Sequence, residues 1–258
     1  MAKKWAAFPH PEKTYAHDAA GLKKAWPRLH RGDCEPLPKD AGVLDAWRHY
    51  HAGEFADAVE AGRKAPGAGM NAAVKAQMIY ANYLEKSEKA KLALLEEAAA
   101  WADERRNAAP KDANAHYLYA YALGRYSQGI SIAKALAQGY GGKIKDALQS
   151  AIGLEPRHAD AHTAFGSYQA EIIDKVGGLV AGMTYGAKKD SALEHYQKAI
   201  KLNPDSAIAR IEYANGLIML FGKARMADAE KLYKEAAAHK PADAMERLDV
   251  ELALSELS

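Results

Sequence analysis

Four stretches of the chain carry one hydrophobic signature. AQMIYANYL (76–84), AHYLYAYAL (115–123), AHTAFGSYQ (161–169) and ARIEYANGL (209–217) each run Ala, three further residues, an aromatic, then a small residue. Apolar positions three and four apart line one face of a helix, so each stretch predicts an amphipathic helix. A second stretch of the same period follows each one and ends near a proline. These are KAKLALLEEAAAWADERRNAAP at Pro110, KIKDALQSAIGLEP at Pro156, DSALEHYQKAIKLNP at Pro204 and MADAEKLYKEAAAHKP at Pro241. Proline cannot continue a helix, so each marks a stop between units. An earlier pair, LDAWRHYHA and GEFADAVEAGRKAP, ends at Pro66. Residues 41–241 therefore predict about five helical hairpins, and the chain as a whole an all-α protein.

The flanks behave differently. Residues 1–40 are rich in proline and charge yet hold Trp5, Phe8, Tyr15, Leu22, Trp26 and Leu29, too many large apolar groups for a disordered arm. They predict an extension packed on the first hairpin, with DAAGLKKAW as a short helix stopped at Pro27. Residues 242–258, with DAMERLDVELALSEL, predict a final amphipathic helix that caps the last hairpin.

The helix pairs resemble the tetratricopeptide repeat (TPR). That pattern asks for a small residue midway along the first helix of a unit, and for Ala, an aromatic, Ala and Pro along the second. Ala192, Tyr196, Ala199 and Pro204 answer it, as do Ala229, Tyr233, Ala236 and Pro241, with Gly166 and Ala214 as the small residues. GEFADAVEAG is similar as well, while Ile144 stands where the third unit should have Ala. The resemblance implies a right-handed α-solenoid of antiparallel helix pairs. The spacing departs from the usual 34 residues: successive prolines lie 44, 46, 48 and 37 apart, counting Pro66, Pro110, Pro156, Pro204 and Pro241. The surplus falls between the two helices of each pair, in inserts such as GRYSQGISIAKALAQGYGGK and EIIDKVGGLVAGMTYGAKK. Long inserts of this kind, followed by KIKDALQSAIGLEPRHADAHTAFG, make residues 113–241 similar to the TPR proteins of the regulator-of-microtubule-dynamics type.

Composition agrees with helix. About one residue in five is Ala, the strongest helix former. The balance of 35 basic and 33 acidic residues leaves +2, which gives no drive toward nucleic acid. Cys34 is alone, so no internal disulfide forms. The N-terminus begins with lysines, but no apolar run follows. With no transmembrane stretch either, a cytoplasmic protein without membrane insertion is expected.

Catalytic chemistry is hard to find. His158 and His162, four apart in HADAH, could share a metal as a distant reading, but Ala159 stands where a zinc protease needs Glu. His162 also matches His116 and Arg210 in the repeat, which favours a structural role. QGYGGKIK fails the phosphate-loop pattern at Ala137 and Ile144 and reads as a hinge into the next helix. His49 and His51 diverge around Tyr50, and Cys34 has no identifiable base. No enzyme, cofactor or metal is expected.

The TPR resemblance places the working surface on the concave face, lined by the first helix of each pair. Aligning the four signatures puts Lys75, Met78, Asn82 and Lys86 there. Asn114, Tyr117, Tyr121 and Arg125 follow, then Asp160, Thr163, Ser167 and Glu171, then Ile208, Ile211, Asn215 and Met219. Met78 replaces the lysine that a chaperone-tail clamp would need. The partner-binding groove is expected at Lys75, Asn82, Asn114, Tyr117, Tyr121, Arg125, Asn215 and Ile211, presented to a peptide or helix of another protein. The competing occupant is the chain itself, through Trp5 and Phe8 or the final helix. The alternative function is a structural subunit that forms a homo-oligomer, with VGGLVAGMTYGA at 176–187 as its contact edge.

Overall fold

A computed structural model of the protein describes residues 5–65 and 67–258. The N-terminal lysines and Pro66, read above as a helix stop, lie outside the described residues. Among the described residues the chain is helical and carries no strand.

Five antiparallel pairs follow one another. They are α2 (Ala41–Ala52) with α3 (Phe55–Lys64), α4 (Gly69–Tyr83) with α5 (Glu88–Ala108), and α6 (Ala113–Gln128) with α8 (Tyr140–Leu154). The last two are α9 (Ala159–Val176) with α11 (Lys189–Leu202), and α12 (Ala207–Phe221) with α13 (Met226–Ala237). Short helices lie in the inserts: α7 (Ile132–Ala137) between α6 and α8, and α10 (Gly178–Val180), followed by a π-helical turn at Ala181–Tyr185, before α11. α1 (Ala19–Leu29) precedes the pairs and α14 (Ala244–Glu256) ends the chain. Local chemistry sets the starts. Asp40, Ser87, Asp112, Ser206 and Asp243 each accept a backbone N–H of the first turn, satisfying a donor the helix leaves orphaned.

The TPR register has a packing cause. Tyr196 is fully buried between two glycines, Gly166 on α9 and Gly216 on α12. A Cβ on Gly166 would lie 2.9 Å from the ring, and one on Gly216 2.6 Å from the hydroxyl. The aromatic of one unit thus fills space that small residues clear on its own and the next unit. Ala192 and Ala199 are fully buried beside it.

Two expectations change. α1 does not stop at Pro27 but runs on to Leu29. Pro27 removes only one donor near the helix end, where the His30 N–H still bonds the Trp26 carbonyl. α14 does more than cover the last pair. It packs on α13 and α12 and also reaches α2. Arg28 grips Glu246 through two bonds of 2.6 and 3.0 Å, and the Tyr83 hydroxyl donates to Asp249 at 2.6 Å. The N-terminal elements and the final helix therefore clasp each other across the concave side.

Candidate functional site

The N-terminal half of the concave face is filled by the chain itself. The segment after α1 crosses it, with Cys34 in the left-handed backbone region at φ 52. Lys75 on α4 donates to Asp33 at 2.5 Å, Asn114 on α6 donates to the Asp33 carbonyl at 3.0 Å, and the Asp160 N–H at the start of α9 donates to the Gly32 carbonyl at 3.0 Å. His30 meets the other Asp33 oxygen at 2.9 Å. On its far side His30 touches His51, which bonds Asp243 at the N-terminus of α14 at 2.6 Å. Glu35 accepts from Asn71 at 3.2 Å.

This interior is charged and buried, and burial displaces the pKa of its groups. Burial opposes the Lys75 charge, yet the Asp33 and Asp160 carboxylates hold its pKa above the ordinary lysine value. Burial, with the Asp33 and Asp112 charges, pushes Glu35 up to about 8. Asp160 is pushed up to about 6 by burial against the pull of Lys75. Burial lowers His30 and His158 to about 4, so both stay neutral near pH 7.

The histidines of HADAH do not form a metal pair. His158 takes the N-cap place that Asp112 and Ser206 hold on α6 and α12. Its Nδ1 accepts the Ala161 N–H, and its Nε2 meets the Asn114 side-chain oxygen at 2.9 Å. His162 Nε2 donates to the Pro156 carbonyl at 3.1 Å and its Nδ1 faces His195 at 2.8 Å. All four ring nitrogens are engaged. The repeat equivalence explains His162. His116 bonds the Pro110 carbonyl and Arg210 the Ser206 carbonyl, so the same place on three helices ties down the preceding turn.

Beyond the clasp the concave face opens into a pocket of about 400 Å³. Its inner end is polar. Lys75, Tyr117, Tyr121 and Arg125 line it from α4 and α6, and Asp160, Thr163, Ser167 and Glu171 from α9. Arg125 pairs with Glu212 on α12 at 2.6 Å and lies over the Tyr121 ring, and Ser167 donates to the other Glu212 oxygen at 2.8 Å. The outer end is apolar, walled by Ile144 and Leu148 of α8, Tyr168, Ile172 and Val176 of α9, and Ile132 and Leu136 of α7.

The inserts make this outer wall. Tyr185, from the segment before α11, lies against Gly141 at the start of α8, where a Cβ would come within 2.8 Å of its ring. Lys145 reaches Gly186 in the same contact. Two inserts from successive units thus meet and enclose one cavity, which accounts for the wide spacing from Pro110 to Pro156 and from Pro156 to Pro204. In the second pair the surplus lies instead within the 21-residue α5, not between the two helices as expected. Gly139, at φ 64, supplies the turn into α8.

Of the eight residues expected to form the groove, Lys75, Tyr117, Tyr121 and Arg125 line the pocket. Asn114 is buried beneath Asp33, Asn82 donates to the Tyr121 hydroxyl, and Asn215 accepts from Tyr233. Ile211 is 1 % exposed, covered with Ala207 and Tyr233 by α14, and Ile208 lines the pocket instead. Trp5 stacks on Tyr80 and Phe8 packs on Phe55, so the aromatic arm covers the first two pairs rather than the apolar C-terminal half. The row Asp160, Thr163, Ser167 and Glu171 lines the pocket in full. The aligned signatures place it on the concave face, but its mixed small and acidic character gives no reason to prefer it.

The sequence profile of the family described as Regulator of microtubule dynamics protein 1-3 matches residues 70–257. The chain belongs to this family. The match is longer than the stretch from 113 to 241 on which the resemblance rests, and it includes both helices of the second pair and α14. No curated protein matches the chain. Among solved structures it is similar to a thermophilic TPR protein from Thermus thermophilus. That likeness has 17% identity and a TM-score of 0.56, and covers 83% of this chain and 97% of the other. At that identity it establishes the TPR-like fold and nothing finer. Among the described residues no helix of this family member is long and apolar enough to cross a membrane.

Proposed function

We propose that this protein is a protein-interaction helical repeat whose binding site is the open pocket of its concave face. The observation that carries the reading is the two-ended cavity between α6, α8, α9 and the inserts, with apolar walls outside and an ion-paired floor at Arg125 and Glu212. A concave, mostly apolar site with a few fixed polar groups is the usual form of a recognition site. The occupant is a segment of another protein that places apolar side chains between the inserts. The floor groups are already hydrogen-bonded, so binding demands little rearrangement.

Gly124 offers a clean test. It lines the pocket, and a Cβ there meets nothing within 4 Å. Gly124→Trp projects a large ring into the cavity from a position whose Cβ meets no neighbour. Affinity capture from cells of the source organism should recover a protein with the parent chain and lose it with the variant. Identical recovery with both would put the binding surface elsewhere.

A further inference from the structure

We infer that the clasp is held by an extra proton: the two buried histidines between α14 and the segment after α1 share three ring protons near neutral pH, and the clasp loosens when the third is lost. This goes beyond the pocket reading and does not depend on it.

Four side chains make one unbroken row through the interior. Asp33 meets His30 Nδ1 at 2.9 Å, His30 Nε2 meets His51 Nε2 at 3.1 Å, and His51 Nδ1 meets Asp243 at 2.6 Å. None of the four residues is more than 4% exposed, so each depends on its neighbours for hydrogen bonds. Each of the three contacts needs one proton between its two atoms. Two neutral imidazoles carry only two between them. One contact would then set a lone pair against another lone pair or a carboxylate at hydrogen-bond distance, in a buried place that screens little. Turning a ring over gives no relief, because carbon would then face both of its partners. The rings are also wedged among aromatics: His30 stacks on Trp26 at 4.0 Å, and His51 is flanked by Trp26, Trp47 and Tyr50.

Three ring protons satisfy all three contacts at once. His51 donates to Asp243 and to His30, and His30 donates to Asp33. A fourth proton, on His30 Nε2, would face the His51 N–H, and burial accordingly lowers His30 to about 4. Burial opposes the Asp243 charge, yet the His51 bond holds its pKa below the ordinary value.

The surrounding charges ask for the same proton. Lys75 faces the row from α4, but it bonds Asp33 and is also drawn to Asp160. Arg28 is taken by Glu246 and Asp205. Among the described residues His51 is the ion-pair partner of Asp243. Of the other groups near Asp243, burial raises Asp249 and Glu246 on α14, and keeps the Tyr15 and Tyr50 hydroxyls protonated. His51 belongs to α2, Asp243 caps α14, and Asp33 lies in the segment that crosses the concave face, so one proton ties three parts of the chain. Unfolded histidines release it around pH 6.5. The folded pair keeps it, so its contribution is fully present below about pH 6.5 and is lost as pH rises through the point where the pair lets it go.

Long-range 1H–15N correlation spectra of the full chain at pH 7.5 count ring protons directly, with the two rings assigned by their contacts to Trp26 and Trp47. The expected result is three protonated nitrogens over the two rings, both of those on His51 included. Two neutral rings with one protonated nitrogen each overturn the inference. Asp243→Asn keeps an oxygen for His51 and for the helix start while removing the charge. It should release the third proton at least ~1 pH unit lower than the parent. Hydrogen exchange read by mass spectrometry on the two proteins side by side should agree at pH 6 and diverge at pH 8.5. There α14 and residues 28–36 should be less protected in the variant, with α9 and α11 alike in both. Equal protection at both pH values, or the same difference at both, would show that the proton does not hold the clasp and would overturn the switch.

Discussion

The two halves of the concave face turn the first helices of the pairs to opposite ends. On the N-terminal side Lys75 and Asn114 grip the carboxylate and backbone of Asp33, a residue of the chain's own extension. On the insert side Arg125, Ser167 and Glu212 are paired to each other and leave an open cavity above them. A TPR-like face does not by itself make a groove. Whether it is free depends on what the termini do, and here residues 28–36 and α14 occupy about half of it. The occupied half is a buried ionic interior that should tolerate little, and the open half a shaped surface that should tolerate much.

The sharpest break in that comparison is Asp33→Ala. It takes from Lys75 its hydrogen-bonded carboxylate, leaving only Asp160 to oppose a mostly buried charge, and strips His30 of its partner; removal of one member of a buried pair costs about 3–5 kcal/mol. Thermal unfolding should show it as the largest loss of any variant named here. A variant as stable as the parent would mean that water reaches Lys75 and that the clasp is not closed.

Ala192→Leu marks the limit of the tolerance on the insert side. Ala192 is fully buried behind the pocket, where α11 meets α9. Overpacking such a contact costs about 1–3 kcal/mol. Unchanged denaturant midpoints would contradict the close approach of these helices.

Glu35 gives the occupied half a pH signature. Its folded pKa of about 8 lies above its ordinary value of 4.5. Between those values the folded state holds a proton that the unfolded chain has released. Its contribution is therefore fully present below pH 4.5 and is lost as pH rises through 8. Glu35→Gln keeps an oxygen for Asn71 and removes the titration. Relative to the parent it should gain roughly 3–4 kcal/mol between pH 5 and pH 9, at about 1.4 kcal/mol per pH unit until the folded pKa is passed. A constant difference across that range would show that Glu35 is solvated. Comparing the two proteins cancels the opposite slope of His30 and His158, whose lowered pKa values make stability rise between about pH 4 and 6.5.

Gly124→Ala should move stability the other way. Glycine inside a helix costs about 0.5–1 kcal/mol against alanine, and the added methyl meets only the cavity. A lower melting temperature would indicate that the cavity wall is closed around Gly124. The smallest effect belongs to Leu179→Ser with Met183→Ser. Exposed substitutions of this kind stay within about 0.5 kcal/mol. A larger loss in urea titration would place these side chains in a contact within the chain.

Much of this architecture was legible in the chain as written. Helix periodicity is a local property, and the prolines at 110, 156, 204 and 241 punctuate it. The Ala–aromatic–Ala pattern around Tyr196 is visible because close packing demands small residues at fixed intervals, and that demand is written position by position. The recurrence of His116, His162 and Arg210 was likewise enough to favour a structural role over a metal site. Of the groove, the helix face was legible and its availability was not. Ile211 has the right periodic place, yet α14 covers it. Asp160 to Glu171 form the pocket wall, yet nothing in their types distinguishes them.

The sequence by itself determined the helices, their pairing and the inserts that interrupt them, because each depends on residues within a few turns of one another. The tertiary structure alone decided which face stays open. Asp33 meets Lys75 and Asn114 from 42 and 81 residues away, His51 meets Asp243 across 192, and Tyr185 meets Gly141 between two different units. Such pairings depend on how the repeats curve and where the ends of the chain land. Burial then turns those few meetings into the difference between a filled core and a binding pocket.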